Sequence, residues 1–242
     1  MTRLLVWDLP TRLFHWLFAI AFLAAYLLGD AEGWLGWHSY FGYLAGGLVL
    51  FRLAWGFLGG HFSRFSTFPP NPASALNYLK DLAAGGGTRH VGHNPAGALA
   101  IHALLFLGLA TALSGMALLG ADPGHDPLAG LVQGSWKDLL EEAHEFCANA
   151  MLALVALHLM GVALGSLRHG ENLPRAMVTG YKDGQADDAR PVKPALLVAA
   201  LMLAGLGTFT VLHDFTIPCD DNVAACGQAG ERQELGGGDD DD

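Results

Sequence analysis

Five long apolar runs separated by short polar stretches dominate the chain, covering approximately residues 13–29, 38–58, 95–120, 143–167 and 194–212. A helix needs about 20 consecutive apolar residues to cross roughly 30 Å of hydrocarbon, with shorter and longer spans tolerated. Each run meets that requirement, so the pattern predicts five transmembrane helices. Between the second and third runs, Pro69, Pro70 and Pro72 introduce a short helix expected near residues 73–84, lying along the membrane surface. The first run follows Arg3 and Arg12, as the core of a secretory leader would. It is long, however, and rich in aromatics (Phe14, Trp16, Phe18, Phe22, Tyr26), and Gly29-Asp30-Ala31-Glu32 makes a poor cleavage site. It reads as a retained helix.

Composition sharpens this picture. Of 242 residues, 52% are hydrophobic and only 15% charged, and the mean hydropathy is +0.34. The expected class is all-α and multi-span. The net charge of −10 is weighted by the tail at 234–242, whose Gly-Gly-Gly-Asp-Asp-Asp-Asp cannot form a core and is expected to be disordered. No basic patch with interleaved aromatics occurs, so nucleic acid is not an expected partner. Residues 1–185 form the expected main helical domain, 186–214 a fifth transmembrane helix and 215–242 an acidic tail.

Charge placement orients the spans. Arg3, Arg12, Arg64, Lys80, Arg89, Arg168, Arg175, Lys182, Arg190 and Lys193 fall on one side, and only Lys137 and Arg232 on the other. The positive-inside rule puts the N-terminus in the cytoplasm and the C-terminus in the periplasm of a bacterial inner membrane. Cys219 and Cys226 then lie in an oxidising compartment, where a disulfide closing a small loop is reasonable. Cys147, within the fourth run, reads as a small packing residue. No Cys-x-x-Cys-His occurs, so no covalently attached c-type haem is expected.

Five of the eleven histidines fall inside the runs: His15, His38, His102, His144 and His158. Ionisable groups at membrane depth are costly and face the bundle interior for functional reasons. His144 and His158 are fourteen residues apart, which places both on one helix face about 21 Å apart along the axis. They cannot share one metal ion, but each can serve one haem of a stacked pair. Depth supplies the partners. His38 opens the second span at the level of His144, and His15 lies early in the first span at the level of His158. Two imidazoles on one iron leave no open position, which suits electron transfer. By depth alone His102 competes with His15, but Arg12 puts a cation beside His15 where a haem propionate would need one. Arg52, fourteen residues after His38, is a second propionate candidate or a cation snorkelling to the interface.

At these residues the chain resembles the bacterial cytochrome b561 family, which includes the membrane cytochrome b subunit of nickel-iron hydrogenases. The matching pieces run from Trp7-Asp8-Leu9-Pro10-Thr11-Arg12-Leu13-Phe14-His15-Trp16 through His38-Ser39-Tyr40-Phe41-Gly42 to Arg52-Leu53-Ala54-Trp55-Gly56-Phe57. Gly92-His93-Asn94-Pro95, His144, His158 and Met177-Val178-Thr179-Gly180-Tyr181 follow. The resemblance implies a transmembrane four-helix bundle holding two haems b, with His15, His38, His144 and His158 as axial ligands. It implies quinone as one redox partner and a periplasmic cytochrome c or oxidoreductase as the other. The fifth span lies outside the family's shared core. A stand-alone enzyme that passes electrons from superoxide or another small reductant to quinone is the alternative. Asp122, Asp126, Asp138, Glu141 and Glu142 make the outer side acidic, which suits a basic protein better than an anion. A metal-ion transporter is a poorer fit, since few polar residues besides Glu145, Asn149 and Arg52 accompany the histidines. Arg12, His61, Arg64 and His93 gather where a quinone headgroup could approach the inner side.

Overall fold

In a computed structural model of the protein the described residues are 2–119 and 135–185. The fifth expected span, Cys219, Cys226, the acidic tail, Asp122 and Asp126 lie outside them. Four long helices carry the fold: α1 (Leu9–Leu28), α2 (Leu35–Leu58), α4 (Pro95–Leu119) and α5 (Ser135–His169). All four are long and apolar enough to cross a membrane. The short α3 (Pro72–Ala83) and α6 (Leu173–Thr179) and the strands β1 (Thr2–Leu5) and β2 (Tyr181–Gly184) complete the described elements, with two single 3-10 turns after α2.

The helix starts at one end follow a repeated local rule. Asp8 caps α1 by accepting from the Thr11 amide at 3.0 Å, with Pro10 in the first turn. Asn71 accepts from Ser74 ahead of α3, Asn94 from Gly97 in α4, and Asn172 from Arg175 in α6. Each cap is followed within two residues by proline, whose fixed φ suits the first turn and whose missing N–H costs nothing there. We call this end of the bundle, with Leu9, Leu58, Pro95 and His169, the near end.

Successive long helices run antiparallel. A Cβ at Gly46 of α2 would meet the Ala112 Cβ of α4 at 3.0 Å, and one at Gly108 would lie 3.2 Å from Val49 Cγ2 and 3.1 Å from Phe18 Cζ. Small residues thus let α1, α2 and α4 approach closely, as packing between membrane helices requires. Phe14, Ala21, Leu48, Val49 and Leu105 form the buried core there. α5 packs along α4 and meets α1 and α2 chiefly through side chains that reach across. One is Tyr26, whose hydroxyl donates to Asn149 Oδ1 at 2.8 Å.

Two findings depart from the sequence expectation. The helix containing the fourth run begins at Ser135, eight residues before the apolar stretch, so Asp138, Glu141 and Glu142 lie on a helix and not in a loop. The near end also carries a small antiparallel sheet in an otherwise helical fold. β1 pairs with β2 in the register Thr2↔Gly184 to Leu5↔Tyr181. Gly180, at φ +86, makes the turn into β2, and its carbonyl accepts from the Val6 and Trp7 amides.

Candidate cofactor-binding site

The near end is organised on one buried carboxylate. Besides capping α1, Asp8 accepts from Trp55 Nε1 at 3.2 Å and from the Ser63 hydroxyl at 2.8 Å, while Thr11 and Ser63 share a hydrogen bond of 2.9 Å. This ties the start of α1 to the end of α2 and fixes the helical phase of Arg12 and His15.

The histidines come together in twos, from different helices. His38 of α2 and His144 of α5 face each other at the far end with ring centroids 6.0 Å apart. His15 of α1 and His158 of α5 do so at the near end, 6.4 Å apart. Two imidazoles bound trans to one metal at roughly 2 Å, with the ring centre about 1.2 Å beyond each nitrogen, lie about 6.4 Å apart. The pairs therefore stand at the spacing of two ligands on one iron. Among the described residues no group of three or more His, Cys, Asp or Glu gathers closely enough to hold a metal ion.

The ring orientations are set by the backbone. His38 Nδ1 donates to the Ala25 carbonyl at 2.8 Å, and His144 Nδ1 to the Thr111 carbonyl at 2.9 Å, with the Ser114 hydroxyl 3.2 Å away. These bonds hold the proton on Nδ1 and leave Nε2 of both rings as a lone-pair donor, the arrangement metal-ligating histidines use. Gly115 makes room for the ring, since a Cβ there would lie 2.9 Å from His144 Cε1. At Gly42, one turn past His38, a Cβ would meet nothing within 4 Å, so space for a flat group adjoins the pair. At the near end His15 Nδ1 is buried with no protein partner. The donor set and its spacing fit haem.

Other residues singled out in the sequence separate clearly. His102 bonds through Nδ1 to the Ala98 carbonyl of its own helix and packs on Phe65 and Phe68, so the ring facing His158 is that of His15. Arg52 is 2% exposed, which removes the snorkelling alternative. Its guanidinium lies 4.9 Å from the Phe65 ring centre, and Nη1 has no partner. Arg12 donates through Nη1 to the Val178 carbonyl, and its buried Nε is also unpaired. Each guanidinium thus keeps a buried nitrogen without a partner, which a propionate carboxylate would satisfy. Arg64 donates to the Gly59 carbonyl, and His61 is exposed. His93 is wedged between Trp7 and Phe68, where burial, reinforced by Arg52, pushes its pKa down to about 3, so it is neutral.

Asp8, Thr111 and Ser114 were missed as supporting residues. The signal for the last was present, since Ser114-Gly115 sits near the C-terminal end of the third run, opposite His144.

The family described as prokaryotic cytochrome b561 matches residues 6–180. No curated protein and no solved structure matches.

Proposed function

The chain belongs to the prokaryotic cytochrome b561 family and is thus a multi-pass inner-membrane b-type cytochrome of electron transfer; from that premise we propose that it holds two haems b and relays electrons between quinone and a periplasmic redox partner. The observation that carries this reading is the presence of two cross-helix histidine pairs, 6.0 and 6.4 Å between ring centres, at two levels along α5. His38 and His144 would hold one haem and His15 and His158 the other, with Arg12 and Arg52 as candidates to neutralise propionates. Each haem supplies a one-electron Fe(III)/Fe(II) couple when bound.

The protein's own contribution is positional. The Ala25 and Thr111 carbonyls hold the outer imidazoles in one tautomer and raise their basicity as ligands. The helices fix the distance between the pairs and surround them with apolar side chains, which tunes potential through the local dielectric. With the N-terminus cytoplasmic, as the lysine and arginine distribution supports, the near end is the quinone side and the far end is periplasmic. The exposed Asp138, Glu141, Glu142 and Glu145 at the start of α5 favour a basic protein such as a cytochrome c over an anionic small reductant.

Haem counting in purified variants tests the assignment. The unsubstituted chain is expected to hold two haems b with two redox components, and His15→Ala, His38→Ala, His144→Ala or His158→Ala to remove one. His102→Ala is expected to retain both. Loss of a haem in His102→Ala together with retention in His15→Ala would overturn the inner pair.

A further inference from the structure

We propose that Met151 is the keystone of a dry partition between the two histidine pockets, positioned to govern how fast an electron passes from one to the other. The proposal rests on the two-haem reading above. His144, Met151 and His158 recur at seven-residue intervals on α5. Seven residues are nearly two full turns, so Met151 projects from the same face as both histidines, roughly 10 Å from each along the axis.

Burial marks this position out. Among the described side chains of α5, Met151 is the one long side chain sealed from outside, at 1% exposure, while His144 and His158 on the same face are only half-buried. Within about one helical turn of that depth every other long helix also contributes a sealed residue: Ala21 of α1 and Leu48 of α2, each 0% exposed, and Gly108 of α4. The tight approach of Phe18 and Val49 to Gly108 closes α1, α2 and α4 against one another at this level. The four helices close on one another in the stretch between the two histidine pairs.

A flexible, polarisable thioether suits such a place, because methionine fills irregular gaps that branched side chains leave. The packed partition keeps water from bridging the pockets and presents continuous matter to the tunnelling electron. With a haem held at each pair, the one-electron exchange between them would need no further oxidant or reductant. Met151 is neither oxidised nor reduced, and no proton moves. It is a positioning residue.

The test compares Met151→Ala, which opens a gap, with Met151→Leu, which nearly conserves volume. Holoprotein in liposomes is reduced at the outer haem by flash excitation of a membrane-impermeant ruthenium complex. Inner-haem reduction is followed at the α-band resolved by redox titration, and haem content is counted on the same samples. Both variants are expected to keep two haems, with inter-haem transfer several-fold slower in Met151→Ala and close to the unsubstituted rate in Met151→Leu. Met151→Val, a smaller truncation, replaces Met151→Ala if that chain fails to retain both haems. An unchanged rate in the truncated variant with two haems bound overturns the partition and leaves the two-haem reading standing, as does equal slowing by Leu. A single haem in the unsubstituted chain overturns both.

Discussion

Asp8 shows how much can depend on a single side chain at the near end. One carboxylate satisfies the Thr11 amide, the Trp55 indole and the Ser63 hydroxyl, all in a buried setting. Asp8→Ala would leave those donors unpaired and uncap α1, destabilising the protein by roughly 2–4 kcal/mol. Thermal unfolding in detergent measures this, and an unshifted midpoint would contradict the assigned role. Gly115 makes a complementary case by what it lacks. Gly115→Leu is expected to drive the His144 ring from its place, so that haem content drops by one while the protein still inserts. Pyridine haemochrome assay against protein concentration reads the loss. Of these two residues, the cap was legible in Asp8-Leu9-Pro10, but its bonds to Trp55 and Ser63 were not, because they join positions about fifty apart through folding alone. The histidine pairing was legible from depth because axial position in a membrane helix follows directly from residue count. What depth could not decide was the choice between His15 and His102, which share a level but lie on different helices, α1 and α4.

Among the elements, α5 departs furthest from its apolar run. Its 35 residues span about 52 Å, well beyond the roughly 30 Å of a hydrocarbon core. Hydropathy located the part inside the membrane and missed the extension, because Lys137, Asp138, Glu141 and Glu142 break an apolar window while remaining good or tolerable helix formers. The extension presents exposed carboxylates at the far end. Glu141→Lys combined with Glu142→Lys is expected to slow reduction or oxidation by a basic cytochrome c at low ionic strength, with little effect in high salt. Stopped-flow rates across a salt series would show this, and identical slopes for the two proteins would refute it. The Asx-Pro starts of α1, α3, α4 and α6 were legible as local chemistry. The strands β1 and β2 were not, since neither four-residue segment carries a period of its own and each is defined by a partner nearly the whole described chain away.

Across the whole molecule, the near-end rim is held by charge as well as by strand pairing. Glu171 pairs with Lys182 Nζ at 3.1 Å and with Arg89, and Lys182 also donates to the His90 carbonyl. Burial opposes the charge on Glu171, but Lys182 and Arg89 outweigh it and hold its pKa below the usual 4.5. A carboxylate depressed in the folded state adds stability that is present above its unfolded pKa and disappears as pH falls through the folded value. Stability is therefore expected to decline below about pH 4.5 in the native chain, and Glu171→Gln should flatten that part of the profile. Chemical denaturation at stepped pH values tests it, and parallel profiles for the two chains would exclude this ion cluster as the cause. This rim lies at the end of the bundle nearer His15 and His158, so its integrity is expected to matter for a haem held there more than for one held by His38 and His144.

The pairing of Thr2–Leu5 with Tyr181–Gly184 has a temporal side. During synthesis the first strand emerges from the ribosome long before its mate, so the collar at that end cannot fasten until almost every described residue has been made. All four long helices can enter the bilayer and bring their imidazoles into place while the mouth stays unlaced, leaving a rigid porphyrin a way in from that side. Released chains that end before residue 181 should therefore acquire the inner porphyrin readily and shed it readily, whereas full-length chains should keep it.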